Sequence, residues 1–197
     1  MTRVLLAIVS VLVLGVAVIT VIVEREGPYT FETVNSSGRL RALILYHPSR
    51  DAHFSDDLSL ALAQGLAASG FAVDRATLTA ETPARPDGYA VIGIVSNTYF
   101  WTPDLPTTRY LRRARLHGIP VVGIIGGAGA TGRSERVLGQ ALAATGATML
   151  HLQSFWLMRP NDEARMKEPN RQVAIDAANQ LGKATGTQIL GNAVPAP

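Results

Sequence analysis

An uninterrupted apolar run near the amino end most constrains what this chain can form. Between Val4 and Val23 no residue is charged, and the only polar side chains are Ser10 and Thr20. A helix rises about 1.5 Å per residue, so this segment would reach about 30 Å, the thickness of the hydrocarbon core of a bilayer. The run also lacks the polar face that a helix on a water-soluble core would have. The sequence therefore predicts a membrane-spanning helix.

A cleavable signal peptide is the competing interpretation, because Met1 to Arg3 is a short, positively charged start. Such a peptide has an apolar region of about 7–15 residues that ends at small residues, whereas this run is longer and ends at VIVERE. We therefore predict an uncleaved single-pass anchor at the cell membrane, with membrane lipid as the partner of residues 4–23. Arginines follow the run as well as precede it, so the charge distribution does not decide the orientation.

Composition excludes several classes of function. The chain has no cysteine, so disulfides and cysteine-based metal or thiolate chemistry are excluded. Its net charge is only +3, and its basic residues are scattered apart from a cluster at 109–115, which does not favour nucleic-acid binding. His47 and His53 lack the carboxylate spacing of a metal site, so no metal is predicted, and turn or surface roles are expected for both.

The rest of the chain alternates between short Val- and Ile-rich runs and helix-like stretches. A polar segment at 24–40 is predicted as a linker, 41–190 as the domain and 191–197 as a flexible tail. The apolar runs do not alternate with polar residues, which is typical of a parallel sheet covered by helices on both faces. The predicted fold is a doubly wound α/β sheet of five strands. Strands are predicted at 42–46, 71–73, 89–95, 121–125 and 149–152, and helices at 56–68, 107–117, 133–144 and 171–184.

In such a sheet, ligands bind beyond the carboxyl ends of the strands, where the winding direction reverses. The loop after the first strand offers the hydroxyls of Ser49 and Ser55 and the cation of Arg50 ahead of a helix amino terminus, as a phosphate site requires. Asp56 and Asp57 would repel a phosphate there. A turn followed by a helix that Ser55 caps is an equally good interpretation.

The loop after the third strand begins with polar Ser96 and Asn97 and continues with three consecutive aromatic residues, Tyr99, Phe100 and Trp101. The polar groups could contact the edge of a planar ring, and the aromatic side chains could contact its face. Alternatively, the aromatic residues only close the end of the core.

The loop after the fourth strand, GGAGATGRSE, contains Gly126, Gly127 and Gly129, which allow close backbone approach. Its spacing is not that of a dinucleotide-binding fingerprint, and a tight turn alone would explain it.

Two segments resemble the flavodoxin-like superfamily, particularly flavodoxins and NAD(P)H-dependent FMN and quinone reductases. GIVSNTYFWTPDLPTTRYLRRA is similar to the family's strand-three motif, and PVVGIIGGAGATG is similar to its strand-four segment and glycine loop. The resemblance covers residues 40–185 and implies the strand order 2-1-3-4-5 with a non-covalent FMN. It implies that Ser49 and Ser55 hold the phosphate, that Ser96, Asn97, Thr98, Tyr99 and Phe100 line the isoalloxazine with Trp101 as a cover, and that Gly126, Gly127 and Gly129 flank its pyrimidine edge.

The function implied by this resemblance is electron transfer, or NAD(P)H-dependent reduction of a quinone or flavin, at a membrane. A flavin-free interaction module is the alternative, because the first loop lacks the family's Gly and Asn and contains His53 and Phe54 in addition. A binding role outside the cytoplasm is a further alternative. The family's usual setting favours the cytoplasmic side, where FMN is made, and the sequence leaves a homo-oligomer open.

Overall fold

The Val- and Ile-rich runs form the centre of a mostly parallel sheet in a computed structural model, which describes residues 2–49 and 53–192. The strands are β1 (Phe31–Asn35), β2 (Leu40–Tyr46), β3 (Phe71–Thr77), β4 (Val91–Tyr99), β5 (Thr102–Pro103), β6 (Pro120–Gly127) and β7 (Thr148–Trp156). The helices are α1 (Thr2–Val23), α2 (Phe54–Ala68), α3 (Leu105–Arg113), α4 (Gly132–Ala144) and α5 (Asn170–Asn192), with a 3₁₀ turn at Glu163–Arg165.

The sheet has the order β1-β3-β2-β4-β6-β7, and β5 pairs with the end of β4. Neighbours from β3 to β7 are parallel, so these five strands have the order 2-1-3-4-5 and the doubly wound α/β prediction is confirmed. The winding direction reverses at β2, because the chain adds β3 on one side of it and β4 on the other.

Two apolar cores cover the two faces of the sheet. Ile44 on β2 packs in the core under α2 and α5, while its neighbours Leu43 and Leu45 pack in the core under α3 and α4. Successive side chains of a strand point to opposite faces, so burial of both faces requires an unbroken apolar run. This is why the strand sequences do not alternate.

The predicted linker contains a strand. β1 runs antiparallel to β3 at the edge of the sheet, with Phe31 opposite Ala76, and the Thr33 hydroxyl donates to the Asp74 carboxylate at 2.8 Å. Part of the segment predicted as a linker thus forms an edge strand of the sheet. No residue of this strand is buried, its position depends on pairing with one partner strand, and its own sequence contains no apolar run that would reveal it.

Two helix boundaries also differ from the predictions. Ser55 does not cap α2, because His53 occupies the cap position and the Ser55 hydroxyl donates to the carbonyl of His47 at 2.7 Å. Helix α3 ends at Arg113, because Ala114 adopts an extended conformation. Residues 193–197 of the predicted tail lie outside the described residues, and residues 191–192 belong to α5.

Helix α1 contains the one segment of the described chain that is long and apolar enough to cross a membrane, Val4–Val23. It is followed directly by Glu24, whose carboxylate accepts a hydrogen bond at 2.6 Å from the backbone N–H of Leu105, at the start of α3. Glu24 is 8% exposed. The end of the apolar helix is therefore bound to the domain itself.

Candidate functional site at the carboxyl edge of the sheet

Three loops meet where the carboxyl ends of β2, β4 and β6 lie side by side. Tyr46 on β2 pairs with Val95 on β4, and Asn97 near the end of β4 pairs with Gly126 on β6. The reversal of winding at β2 and β4 leaves a crevice between the loops that follow these strands. The structure thus brings the loops of the predicted site together.

Asp104 organises the polar groups at this edge. It is fully buried, and one carboxylate oxygen accepts from the Ser96 hydroxyl at 2.9 Å and from the Asn97 N–H at 2.7 Å. The other oxygen accepts from the Thr107 N–H at 2.8 Å and so caps α3. The hydrogen-bonding capacity of Ser96 is therefore used within the protein.

Asn97 and His47 connect this cluster to β2. The Asn97 side-chain amide donates to the His47 carbonyl at 2.8 Å, so it holds the β2 and β4 loops together. His47 is 2% exposed, and its Nδ1 lies 3.7 Å from a carboxylate oxygen of Asp104. Burial corrects the prediction of a turn or surface role for His47. The Ser96 hydroxyl and the Asn97 side-chain nitrogen therefore hold this edge of the sheet in place.

In the described part of the loop predicted to hold a phosphate, a carboxylate of the protein accepts a backbone N–H. The Ser49 N–H donates to Asp56 at 3.3 Å, and the Ser55 N–H donates to the Ser49 hydroxyl at 3.3 Å. Burial raises the pKa of Asp56, while the Ser49 N–H and the nearby His53 and Arg75 oppose that rise. An anion-binding geometry exists here, and a carboxylate of the protein occupies it. Arg50 lies outside the described residues.

A cleft of about 160 Å³ lies between the β4 and β6 loops. Its lining includes six residues of the predicted site: Ser49, Asn97, Thr98, Tyr99, Gly126 and Gly127. Within the described chain the Thr98 hydroxyl is buried and has no hydrogen-bond partner. A buried hydroxyl without a partner is costly unless a ligand or water satisfies it, so Thr98 is the best candidate for a polar contact to a ligand.

A second cleft of about 230 Å³ adjoins the first, and both have Thr98 and Ala128 in their walls. It is lined by Phe100, Trp101 and Gly129 as well. The two clefts together follow the line between the aromatic turn and the glycine loop. The structure therefore brings together most of the residues predicted around a ring, apart from Ser96.

The glycines differ in what they permit. A Cβ at Gly127 would lie 2.7 Å from the Thr131 methyl group and 3.2 Å from the Thr98 Cβ, whereas a Cβ at Gly129 would meet only the Arg159 Cβ, at 3.7 Å. Gly127 is thus required for close approach of the β4 and β6 loops, and Gly129 is not.

The aromatic turn has an unusual backbone. Tyr99 pairs with Thr102, so Phe100 and Trp101 form a two-residue hairpin turn in which both have positive φ, 49° and 61°. Positive φ at both central residues is the requirement of a type I′ turn, where Asn and Gly are preferred. Both side chains are exposed, by 48% and 60%. The position is strained, and neither side chain is buried in the domain.

No protein-family model and no curated protein sequence matches this chain. Among solved structures, a flavodoxin from the domain Archaea is similar with a TM-score of 0.60 and 13% identity, over 77% of this chain and 99% of its own. The chain has a flavodoxin-like fold. An NAD(P)H:quinone oxidoreductase from Methanothermobacter marburgensis has a TM-score of 0.54 and 16% identity, over 74% of this chain and 98% of its own. Flavodoxin 1 from Bacillus cereus has a TM-score of 0.53 and 10% identity, over 73% of this chain and 97% of its own.

Compared with the expectation for a flavodoxin-like FMN site, the ring end fits and the phosphate end does not. The Thr98 hydroxyl and the backbone at Gly126 and Gly127 offer polar groups beside an apolar cleft. At the phosphate end, the Asp56 carboxylate accepts the hydrogen bond that an anionic ligand would otherwise take. Two anions at one position repel each other, so FMN phosphate requires Asp56 to move or to be protonated.

Sequence reasoning missed the groups that hold this edge together. Asp104 and Glu24 lie in stretches without a recognisable motif. The one signal for Asp104 is its place two residues before Pro106, which is typical of a helix cap. Phe54 and Leu157, which line the smaller cleft, were also missed. A larger groove of about 1160 Å³ runs along α5, and no described residue of the predicted site lines it.

Proposed function

We propose that this chain is a single-pass membrane protein whose flavodoxin-like domain binds a flavin, FMN in the first instance, non-covalently at its carboxyl edge. The observation that carries the proposal is the cleft at the reversal of winding, where the buried Thr98 hydroxyl has no partner among the described residues. The similar solved structures include a flavodoxin and an NAD(P)H:quinone oxidoreductase, which supports electron transfer or quinone reduction as the activity.

The residues around the cleft have separable roles in this proposal. Thr98 hydrogen-bonds the ring, the backbone of Gly126 and Gly127 approaches its edge, and Tyr99 and Phe100 contact its face. A bound flavin supplies the electron-transfer chemistry, and the protein binds it, excludes water and adjusts its potential. Asp104 is a positioning residue, because it binds the Asn97 N–H and so fixes the end of β4, where Thr98 lies.

Helix α1 is the anchor in this proposal, and the domain lies on the cytoplasmic side. The length and composition of Val4–Val23 support a membrane span. A cleaved signal sequence would have the same composition, and amino-terminal sequencing of the mature chain separates the two. Membrane attachment suits a reductase whose acceptor is an apolar quinone.

A flavin-free interaction module at the membrane is the second candidate. Two observations favour it: Asp56 fills the anion-binding loop, and the cleft of about 160 Å³ is smaller than most ligand pockets, which are about 300–1,000 Å³. An interaction module would need neither a phosphate site nor a ring pocket.

Flavin titration of the full chain in detergent distinguishes the two candidates. Flavin binding predicts saturable quenching of FMN or riboflavin fluorescence at micromolar concentration. Thr98→Val removes one hydrogen bond and should weaken binding about five-fold, while Thr148→Val, on an exposed position at the opposite end of the sheet, should have no effect. A folded chain that quenches neither flavin refutes the flavin proposal and favours the interaction module.

Anaerobic mixing with NADH or NADPH then tests the reaction. A reductase bleaches the absorbance of its bound flavin when the nicotinamide is added, and the absorbance returns when a quinone follows. Bound flavin that no nicotinamide reduces, but that a chemical reductant does, indicates an electron carrier.

A further inference from the structure

Exposed apolar side chains of the domain are concentrated at one edge. Outside α1, the described residues include seven large apolar side chains that are exposed. Only Met149 lies at the beginning of a parallel strand. The other six are on or beside loops at the carboxyl edge: Phe31, Phe100, Trp101, Leu105, Met158 and Met166.

The placement of the six follows from the strand register and the connections. Phe31 pairs with Ala76, one residue before the end of β3, so it is level with the carboxyl ends of the parallel strands. Met158 is the second residue after β7, and its N–H donates to the Ala128 carbonyl in the glycine loop. Met166 lines a small cleft together with Met158. Single exposed apolar residues are ordinary, but clustering at one edge indicates an interaction surface.

The apolar helix ends at this same edge. Glu24, immediately after Val23, accepts the Leu105 N–H, and His47 Nε2 lies 3.4 Å from the Arg25 carbonyl oxygen. Trp101 precedes Leu105 by four positions, so its Cα lies within about 14 Å of the Leu105 Cα even if that segment were fully extended. A bilayer spanned by α1 would therefore have its surface beside the aromatic turn.

The backbone of the turn is strained, and burial of its side chains in the domain does not offset that strain. Phe100 and Trp101 occupy the positive-φ positions of a hairpin turn, which Asn and Gly would occupy without strain. About half of Phe100 and more than half of Trp101 are exposed, so the core buries neither side chain. Trp is the residue preferred at the headgroup level of a bilayer, where its apolar ring and its polar N–H are both satisfied.

We propose that the Phe100–Trp101 turn lies in the headgroup layer of the bilayer that α1 spans, so that the carboxyl edge of the sheet faces the lipid. This inference rests on the proposed anchor and is independent of whether the domain binds a flavin. The cleft lined by Thr98 and Trp101 then opens at the lipid surface. With a flavin bound there, an apolar electron acceptor dissolved in the bilayer reaches the cleft without crossing water.

The test measures the depth of Trp101 in phosphatidylcholine vesicles that contain the full-length chain. The chain has two tryptophans, and Trp156→Phe leaves Trp101 as the only one. Lipids brominated near the headgroup end of the acyl chain should reduce Trp101 fluorescence about two-fold or more, and its emission should lie at shorter wavelength than that of a tryptophan in water.

A tryptophan at the opposite edge is the matched control. Met149→Trp, combined with Trp101→Phe and Trp156→Phe, places the reporter at a site with the same 48% exposure as Phe100, and brominated lipid should leave its fluorescence unchanged. Quenching at position 101 no stronger than at position 149 overturns the proposal.

Extraction with alkaline carbonate separates failure of this inference from failure of the anchor. A chain that stays in the membrane, with Trp101 unquenched, keeps the anchor and refutes the orientation, whereas release of the chain refutes both. A second measurement avoids changing Trp156: because the chain has no cysteine, Trp101→Cys accepts a single nitroxide label. That label should be more accessible to oxygen than to a water-soluble nickel chelate, and the reverse order overturns the proposal.

Discussion

Replacement of Asp104 by Ala should be among the most destabilising changes at the carboxyl edge. The buried carboxylate accepts three hydrogen bonds, from the Ser96 hydroxyl and from the N–H groups of Asn97 and Thr107. A hydrogen bond to a charged group contributes about 1.5–3 kcal/mol, and relief of the buried charge offsets part of their sum. We therefore expect Asp104→Ala to lower the free energy of unfolding by about 3–4 kcal/mol.

A second substitution at position 104 separates the contribution of the helix cap from that of the two hydrogen bonds to β4. Serine is a good N-cap residue, so Asp104→Ser should still accept from the Thr107 N–H while losing both contacts to β4. It should therefore retain about 1 kcal/mol that Asp104→Ala loses. Asp162→Ala is the control, because the exposed Asp162 caps only a 3₁₀ turn through the Ala164 N–H. We expect it to change stability by less than about 0.5 kcal/mol.

Urea unfolding in detergent micelles, followed by near-ultraviolet circular dichroism, gives these free energies, because only the domain contributes a cooperative transition of its aromatic signal. Equal slopes against urea are required before midpoints are compared. A loss below about 1 kcal/mol for Asp104→Ala would refute the assignment of Asp104 as the organiser of this edge. So would equal losses for the Ala and Ser variants, since the cap would then contribute nothing.

Three further predictions follow from individual contacts. Gly127→Ala should destabilise the domain by about 1–3 kcal/mol, because its Cβ would lie 2.7 Å from the Thr131 methyl group, while Gly129→Ala should be neutral in the same urea assay. Tyr110→Phe should stabilise it by about 1 kcal/mol, because the buried Tyr110 hydroxyl has no partner in the described chain; an unchanged midpoint would indicate a hidden water. Burial raises the pKa of Asp56 above its ordinary value of 3.8, so its contribution to stability is present below that value and is lost as pH rises through the folded pKa. In a pH series of unfolding curves, Asp56→Asn should therefore remove this loss of stability, and the same pH dependence in the variant and the unchanged protein would contradict this expectation. Asp56→Asn should also strengthen FMN binding more than riboflavin binding, and an unchanged ratio of the two affinities would contradict that.

The fold was predictable because burial of both faces of the sheet requires apolar residues throughout each strand, and this pattern is visible in the sequence. ALILY and VVGII show no alternation of apolar and polar residues, which is typical of a parallel sheet covered by helices on both faces. Strand β1 was not predictable in this way, since its position depends on pairing with β3 forty residues away, through contacts such as Thr33 with Asp74. Non-local pairing of a short polar strand leaves little signal in its own sequence.

The candidate site was predictable in position but not in the use of its polar groups. Strand ends and glycines located the loops, because the carboxyl edge is where such sheets bind ligands. Whether a hydroxyl is available there depends on its neighbours: Ser96 is used by Asp104, while Thr98, two residues later, has no partner among the described residues. Likewise, only the folded loop shows that Asp56 reaches back to the Ser49 N–H.

The hydrogen bond between Glu24 and the first turn of α3 limits how far the domain can move from the end of α1. A flexible tether of the length of residues 24–40 would let a domain sweep a radius of roughly 20–25 Å above the membrane. Here the polypeptide is bound to α3 one residue after the apolar helix, so the domain has almost no tether. With α1 in a bilayer, the domain cannot search the surrounding water for a partner, and encounters with partners depend on lateral diffusion in the plane of the membrane.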